Sequence, residues 1–349
     1  MKQSKLRIFV ALSLIVGCFF APYLRKLNAE GNYVFTGYTM GTQYNVKLVG
    51  LEVEEDSLKE IKKAIEDKLA QVNRQMSTYD PESEISHFNN TNLVDEFEIS
   101  AGFAKVMGLS RDISEKTAGA FDPTVSPLID IWGFGYIKKT KDFPDEIEIQ
   151  EALKNVGFRK VSCSSNILKK AVPNLQLNLS AIAKGYGVDV IAGIVSESGF
   201  TNYMVEIGGE VITSGLNQSG EVWRIGVQNP AFGSEVGTDN VMVVILPQKA
   251  IATSGDYRNY FEYKGKTYSH VIDPRTGYPT ESGVASASVI ADTCMMADAL
   301  ATALMVMGPV KGLELIENIK GVEAVITVRN ENGFSNHFSS AYDQFVSRK

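Results

Sequence analysis

Asp298 and Thr302 stand four residues apart in Ala297-Asp298-Ala299-Leu300-Ala301-Thr302-Ala303, a run whose composition favours helix. Four residues is about one helical turn, so the carboxylate and the hydroxyl share a face. Together they offer oxygen ligands of the kind that a hard cation such as Mg²⁺ prefers. The flanking alanines let a ligand come close to the backbone. The same residues also read as a helix packed tightly on a sheet, with Thr302 bonded back to its own helix. A second segment runs from Asn178 through Ser180, Ala181 and Lys184 to Gly187, where strand residues enter a polar turn that opens a helix. The free N–H groups and positive dipole end at that point favour an anion such as a phosphate. Lys184 in the first turn opposes the helix dipole. Both an anionic ligand and a plain capping turn fit the segment.

A third segment, Tyr268 to Gly277, carries one of three histidines, His270, close to Asp273 and Arg275. Imidazole there serves as a proton acceptor, as part of a phosphate site, or as an ordinary structural residue. Gly119 to Val125 and Val205 to Glu210 are weaker signals. The Gly208-Gly209 pair fits a close approach to a planar ring as well as a simple hairpin turn. Motifs that would point elsewhere are absent: no Gly-x-Gly-x-x-Gly, no phosphate loop ending in Gly-Lys-Ser/Thr, no Cys-x-x-Cys and no Gly-x-Ser-x-Gly.

Alternating periodicity places these residues. Gln43 to Val49 alternates polar and apolar like a half-buried strand, and Leu58, Ile61, Ile65, Leu69, Val72 and Met76 recur at helical spacing. Ser57 with Glu60 predicts a capping box at the start of that helix. Further helices are expected after Ser100, over 145–156, and at about 182–197, 296–307 and 310–319. Strands are expected at 203–207, 222–228, 241–246, 259–263, 267–272, 284–290 and 323–329. Short turns between strands predict an α+β fold with a mostly antiparallel sheet.

Lys2, Lys5 and Arg7 precede an apolar run from Ile8 to Leu24, the pattern of an export signal or signal anchor. Ile15-Val16-Gly17-Cys18 resembles a lipobox, whose cysteine would be lipidated. An uncleaved anchor and a cleavage site after Leu27-Asn28-Ala29 are the other readings. Residues 1–29 are expected to be this segment and residues 30–349 the catalytic body, with a tether around 25–35. Without residues 1–29 the chain keeps 29 basic and 41 acidic side chains, a balance of −12 that argues against nucleic-acid binding. Cys163 and Cys294 then remain, enough for at most one disulfide.

Taken in order, the segments resemble the ApbE-type FAD:protein FMN transferases, once described as thiamine-biosynthesis lipoproteins. The resemblance runs over about residues 36–308. It includes Tyr38-Thr39-Met40-Gly41-Thr42, Met76-Ser77-Thr78-Tyr79, Ser83-Glu84-Ile85-Ser86, Gly119–Val125, Asn178–Gly187, Glu206–Glu210, Ala252–Tyr257, Ser269–Gly277 and Ala297–Thr302. It implies an α+β fold related to the tunnelling fold, with FAD in a cleft between lobes. It places Met40, Tyr79, Ala120, Phe121, Asp122, Asn178, Lys184, His270 and Ile272 around FAD. Asn178 stands where other members often have Asp. Mg²⁺ would be held by Asp298, Thr302 and the backbone carbonyl of Ala181. The implied reaction transfers FMN from FAD to a threonine of a partner protein and releases AMP, with His270 or Asp298 taking the hydroxyl proton. Hydrolysis of FAD to FMN and AMP, or flavin binding without catalysis, are the rival readings. Implied acceptors are subunits of sodium-pumping NADH:quinone reductases or Rnf-type electron-transport complexes. The implied location is the periplasmic side of the inner membrane, lipid-anchored at Cys18.

Overall fold

The computed structural model describes residues 31–91, 96–135, 143–228, 230, 240–256, 260–263, 266–331 and 333–347. The expected export segment with Cys18, and Tyr257 of the resembling motifs, lie outside these residues.

The centre is an eight-stranded antiparallel sheet. Its strands are β1 (Asn32–Thr39), β2 (Thr42–Val49), β6 (Asn202–Ile207), β7 (Glu210–Ser214), β10 (Ala250–Gly255), β13 (Val284–Ala291), β14 (Glu323–Asn330) and β15 (Gly333–Phe338), in that spatial order. β1 corrects the expected tether: residues 32–35 already alternate exposed and half-buried as a strand. Met40 and Gly41, with φ of 49° and 72°, close the β1–β2 hairpin in a two-residue turn. Positive φ at both centres matches the right-handed twist of the paired strands. Gly208 and Gly209, at 61° and 106°, close β6–β7 likewise, so the diglycine is a hairpin turn.

One face of the sheet is covered by three helices, α1 (Glu55–Met76), α6 (Ala183–Glu197) and α7 (Cys294–Glu317). α1 begins at Glu55, two residues before the expected capping box, with Glu54 as N-cap and no side-chain cap, so Ser57 lies inside the helix. α7 joins the two helices expected at 296–307 and 310–319; the break between them is Gly308, at φ 75°, followed by Pro309. α7 is apolar enough to cross a membrane by composition, yet it lies buried on β13 and β10 as a core helix. Every residue of β13 is buried, because the opposite face is also covered. There Val211, Ile251, Ile290 and Val325 meet Val227 and Val244 of β8 (Arg224–Gln228) and β9 (Asn240–Ile245), with Tyr342 and Phe345.

The remaining elements surround the site. They are α2 (Glu84–Asn90), α3 (Ala101–Lys116), α4 (Ser126–Ile131), α5 (Glu146–Leu153), a small sheet of β3 (Phe97–Glu98), β5 (Ile167–Lys170) and β4 (Val161–Ser164), and the hairpin β11 (Tyr260–Tyr263) with β12 (Lys266–Ser269). Cys163 and Cys294 are both free.

Candidate active site

A cavity of about 600 Å³ opens where the β1–β2 turn meets the end of α1 and the start of α6, lined by Met40, Gly41, Met76, Tyr79, Ser180 and Lys184 among others. A second cavity of about 300 Å³ adjoins it across Thr78 and Tyr79 and continues past Asn178, Gln176 and Phe134. Thr78 and Tyr79 line both, so the two cavities form neighbouring parts of one cleft region, each of the size ordinary ligand sites occupy. A larger depression of about 730 Å³ lies between loop 276–282 and the Gly308 break. It holds none of the buried charged groups described below.

The cleft walls are fixed locally. Asn73 Nδ2 on α1 donates to Thr39 Oγ1 at 2.9 Å, tying the Met40 turn to the helix. Met40 also packs on α6, where a Cβ added at Gly187 would lie 2.9 Å from its Cε. The loop carrying Tyr79 is pinned by Ser83, whose hydroxyl donates to Ser77 O at 2.6 Å and accepts from Ser86 N at 3.1 Å to cap α2. Tyr79 itself lines both cavities and is 64% exposed.

Behind the first cavity sits a buried charged cluster. Lys184, the second residue of α6, makes a short hydrogen bond and ion pair with Glu210 Oε1. Asp298, 3% exposed, accepts a hydrogen bond from Gly185 N at 2.9 Å through Oδ2, while Oδ1 accepts none among the described residues. Thr302 Oγ1 lies 3.0 Å from Ser254 Oγ on β10, so it bonds across to the sheet and not back to its own helix. Burial works against the charge on Lys184, but the carboxylates of Asp298 and Glu210 more than offset it and hold the ammonium above the usual lysine range. This settles the apparent conflict between Lys184 and the helix dipole: two acids neutralise it. Burial raises the Asp298 carboxyl, and Lys184 and the Gly185 N–H pull it back.

α6 and α7 present Lys184 and Asp298 to each other because they cross closely. A Cβ at Gly185 would lie 2.7 Å from Met295 Cα. Asp189 of α6 reinforces the crossing by accepting Cys294 N at 2.7 Å and Met295 N at 3.0 Å, which caps the start of α7.

The other expected site residues fall in different places. Asn178 lines the second cavity, with Oδ1 accepting Ser180 N at 2.9 Å. His270 is half-buried and meets Phe134, a second-cavity residue, edge to face at 6.3 Å between centroids. Ala181 is half-buried in the turn before α6. Ala120, Phe121 and Ile272 are buried in hydrophobic clusters, and none of the three lines either cavity. Asp122 is a staple: its carboxylate accepts Thr124 N and Oγ1 at 2.8 and 2.6 Å, and Phe158 N at 2.7 Å. Arg275 and Asp273 occupy each other, with Nε and Nη2 donating at 2.8 and 2.7 Å. The sequence marks Glu210 only as the end of the diglycine segment, with no role of its own. Its signal was an acid directly after a diglycine turn, at the start of a strand that buries it.

No three His, Cys, Asp or Glu converge on a metal-sized point among the described residues. The Asp298–Thr302 pair nevertheless suits a hard divalent cation, because its donors are all oxygen and Asp298 Oδ1 takes no protein hydrogen bond there. Such a site takes its remaining ligands from backbone carbonyl, water and substrate phosphate.

The model of the ApbE family matches residues 40–326. An FAD:protein FMN transferase of Vibrio cholerae is 41% identical over 314 residues, spanning 90% of this chain and 92% of that protein. One from Escherichia coli K12 is 32% identical over 349 residues, spanning 98% and 97%. Among solved structures, the flavin transferase ApbE from Vibrio cholerae aligns with a TM-score of 0.82 at 38% identity, over 90% of this chain and 99% of that one. The apo flavinyl transferase ApbE of Pseudomonas stutzeri aligns with a TM-score of 0.82 at 34% identity, over 92% and 98%. Sequence and fold agree: the chain belongs to the ApbE family.

Proposed function

We propose that this chain is an FAD:protein FMN transferase that joins FMN to a threonine hydroxyl of an acceptor protein and releases AMP. The observation that carries the reading is the cleft itself. Its two neighbouring cavities reach the Met40 turn on one side and Phe134 on the other, and the wall of the first holds Lys184 backed by Asp298. A phosphate-bearing ligand of dinucleotide length suits that combination, and the relatives are named for this reaction.

Asp298 and Thr302, with the carbonyl of Ala181, are proposed to hold Mg²⁺. When bound, the ion supplies positive charge against the diphosphate oxygens. The chain's own groups do the rest. Lys184 binds the diphosphate, and Tyr79 offers its exposed face to a ring of the ligand. The acceptor hydroxyl attacks the FMN-side phosphorus, its oxygen forms the new P–O bond, and the bond to the AMP phosphate oxygen breaks. His270 is the proposed base, because it is half-buried with its ring against Phe134 of the second cavity's lining, whereas Asp298 is nearly sealed from solvent. The acceptors proposed are membrane electron-transport subunits of the sodium-pumping NADH:quinone reductase and Rnf types. They would be met on the periplasmic side of the inner membrane from an N-terminal anchor.

Chromatography of the products tests the reading. With FAD, Mg²⁺ and an acceptor carrying the threonine, AMP should appear in step with loss of FAD while free FMN does not. Equal release of FMN and AMP would make the chain a hydrolase, and intact FAD would make it a binding protein.

A further inference from the structure

Glu210 opens β7 directly after the diglycine turn and is 2% exposed. Its Oε1 accepts from Lys184 Nζ, while Oε2 is buried with no hydrogen-bond partner among the described residues. An acid left half-satisfied in the interior costs stability, so its retention calls for a task. Lys184 shows what the task is. Lys184 lines the cleft while its ammonium pairs with Glu210 behind it, and among the described residues two carboxylates act strongly on it, Glu210 and Asp298. If Glu210 were neutral, Asp298 would be the remaining acid for Lys184 to pair with. That pairing would draw Lys184 off the cleft wall and onto the oxygen that is otherwise open.

We propose that Glu210 is a positioning residue: it holds Lys184 at the cleft wall, toward the ligand's phosphates, and keeps it from closing onto Asp298. One residue thereby serves both halves of the site, anion binding directly through Lys184 and cation binding by leaving Asp298 free. The inference rests on the reading of the cleft as an FAD site.

The test is a double-mutant cycle on the full-length protein: native, Glu210→Gln, Lys184→Met and the double variant, with Glu210→Asp as the conservative substitution. FAD affinity is read by quenching of flavin fluorescence in EDTA. Cation affinity is read separately, without FAD, by electron paramagnetic resonance of free Mn²⁺. Glu210→Gln should raise both dissociation constants about tenfold, with Glu210→Asp in between. In the Lys184→Met background the same Glu210→Gln change should move either constant by less than about twofold, because the group it positions is gone. A merely structural role would cost as much with Lys184 absent as present, and that result would overturn the proposal. So would a Glu210→Gln protein that binds FAD and Mn²⁺ like the native one. If Glu210→Gln does not fold, Glu210→Asp carries the cycle with the same two outcomes. A native protein that binds no FAD would defeat the FAD reading instead, and the Mn²⁺ arm would still decide the role of Glu210.

Discussion

Asp298 was expected to matter for its spacing from Thr302, and the structure adds that it is sealed in and holds the Gly185 N–H. Truncation to alanine would therefore mix lost chemistry with an orphaned backbone donor, worth about 1–3 kcal/mol. Asp298→Asn keeps an acceptor for Gly185 and removes the charge. It should lower Mg²⁺-dependent turnover at least about 100-fold while the melting temperature moves by only a few degrees. Normal turnover at limiting Mg²⁺ would remove Asp298 from the metal site. Single residues were legible in the sequence where spacing on one helix brought them together, as with Asp298 and Thr302. They were illegible where partners come from distant strands: Lys184 meets Glu210 and Thr302 meets Ser254 only after the sheet forms. The bonds that occupy Asp122 and Asp273 were hidden for a different reason. A turn acid that staples its own loop has the same letters as one that faces a ligand.

At the scale of elements, the account depends on the crossing of α6 and α7. Gly185→Ala would put a methyl against the backbone of Cys294 and Met295, which cannot yield as a flexible side chain would. Chemical denaturation should show a loss of about 1–3 kcal/mol, and FAD affinity should fall with it as Lys184 and Asp298 separate. An unchanged midpoint would mean that the helices can part without cost. Asp189 supports the same crossing. Burial holds its carboxyl up at about 6, against 3.8 for a free aspartate, although Met295 N–H, Cys294 N–H and Lys105 pull it down. An acid whose pKa is raised on folding binds its proton more tightly in the native state. Its contribution to stability therefore falls as pH rises from about 4 through about 6 and is level above that. Asp189→Ala should lose that slope in melts across this range, and at pH 7 it should cost about 1–3 kcal/mol for the two stranded N–H groups. Equal slopes in parent and variant would count against the cap. Most long elements were legible, because periodicity is strong in α1, α3 and the buried strands. The end of α1 nearest the N-terminus was not, since Glu55 and Asp56 satisfy the dipole without the side-chain cap that Ser57 suggested. Short pieces such as α2, α4, β4 and β5 carry too few residues to show a period.

At the scale of the whole molecule, one antiparallel sheet binds the parts together, and the cleft sits at the β1–β2 turn, the end of β1 away from Asn32. The proposed N-terminal tether is tested on the protein itself. Mass spectrometry of the mature protein should find a diacylglyceryl group on Cys18. An intact Met1 would support an uncleaved anchor, and a soluble product beginning at Glu30 would end the tether proposal. The central claim, however, is covalent transfer, and it is tested on the acceptor. FAD carrying heavy oxygen on the non-bridging oxygens of its FMN-side phosphate is incubated with the protein, Mg²⁺ and an acceptor, either native or with its threonine replaced by alanine. Intact-protein and peptide mass spectrometry should find labelled FMN on that threonine alone, with unlabelled AMP in solution. Label that stays in free FMN, or that reaches the alanine acceptor equally, would contradict it.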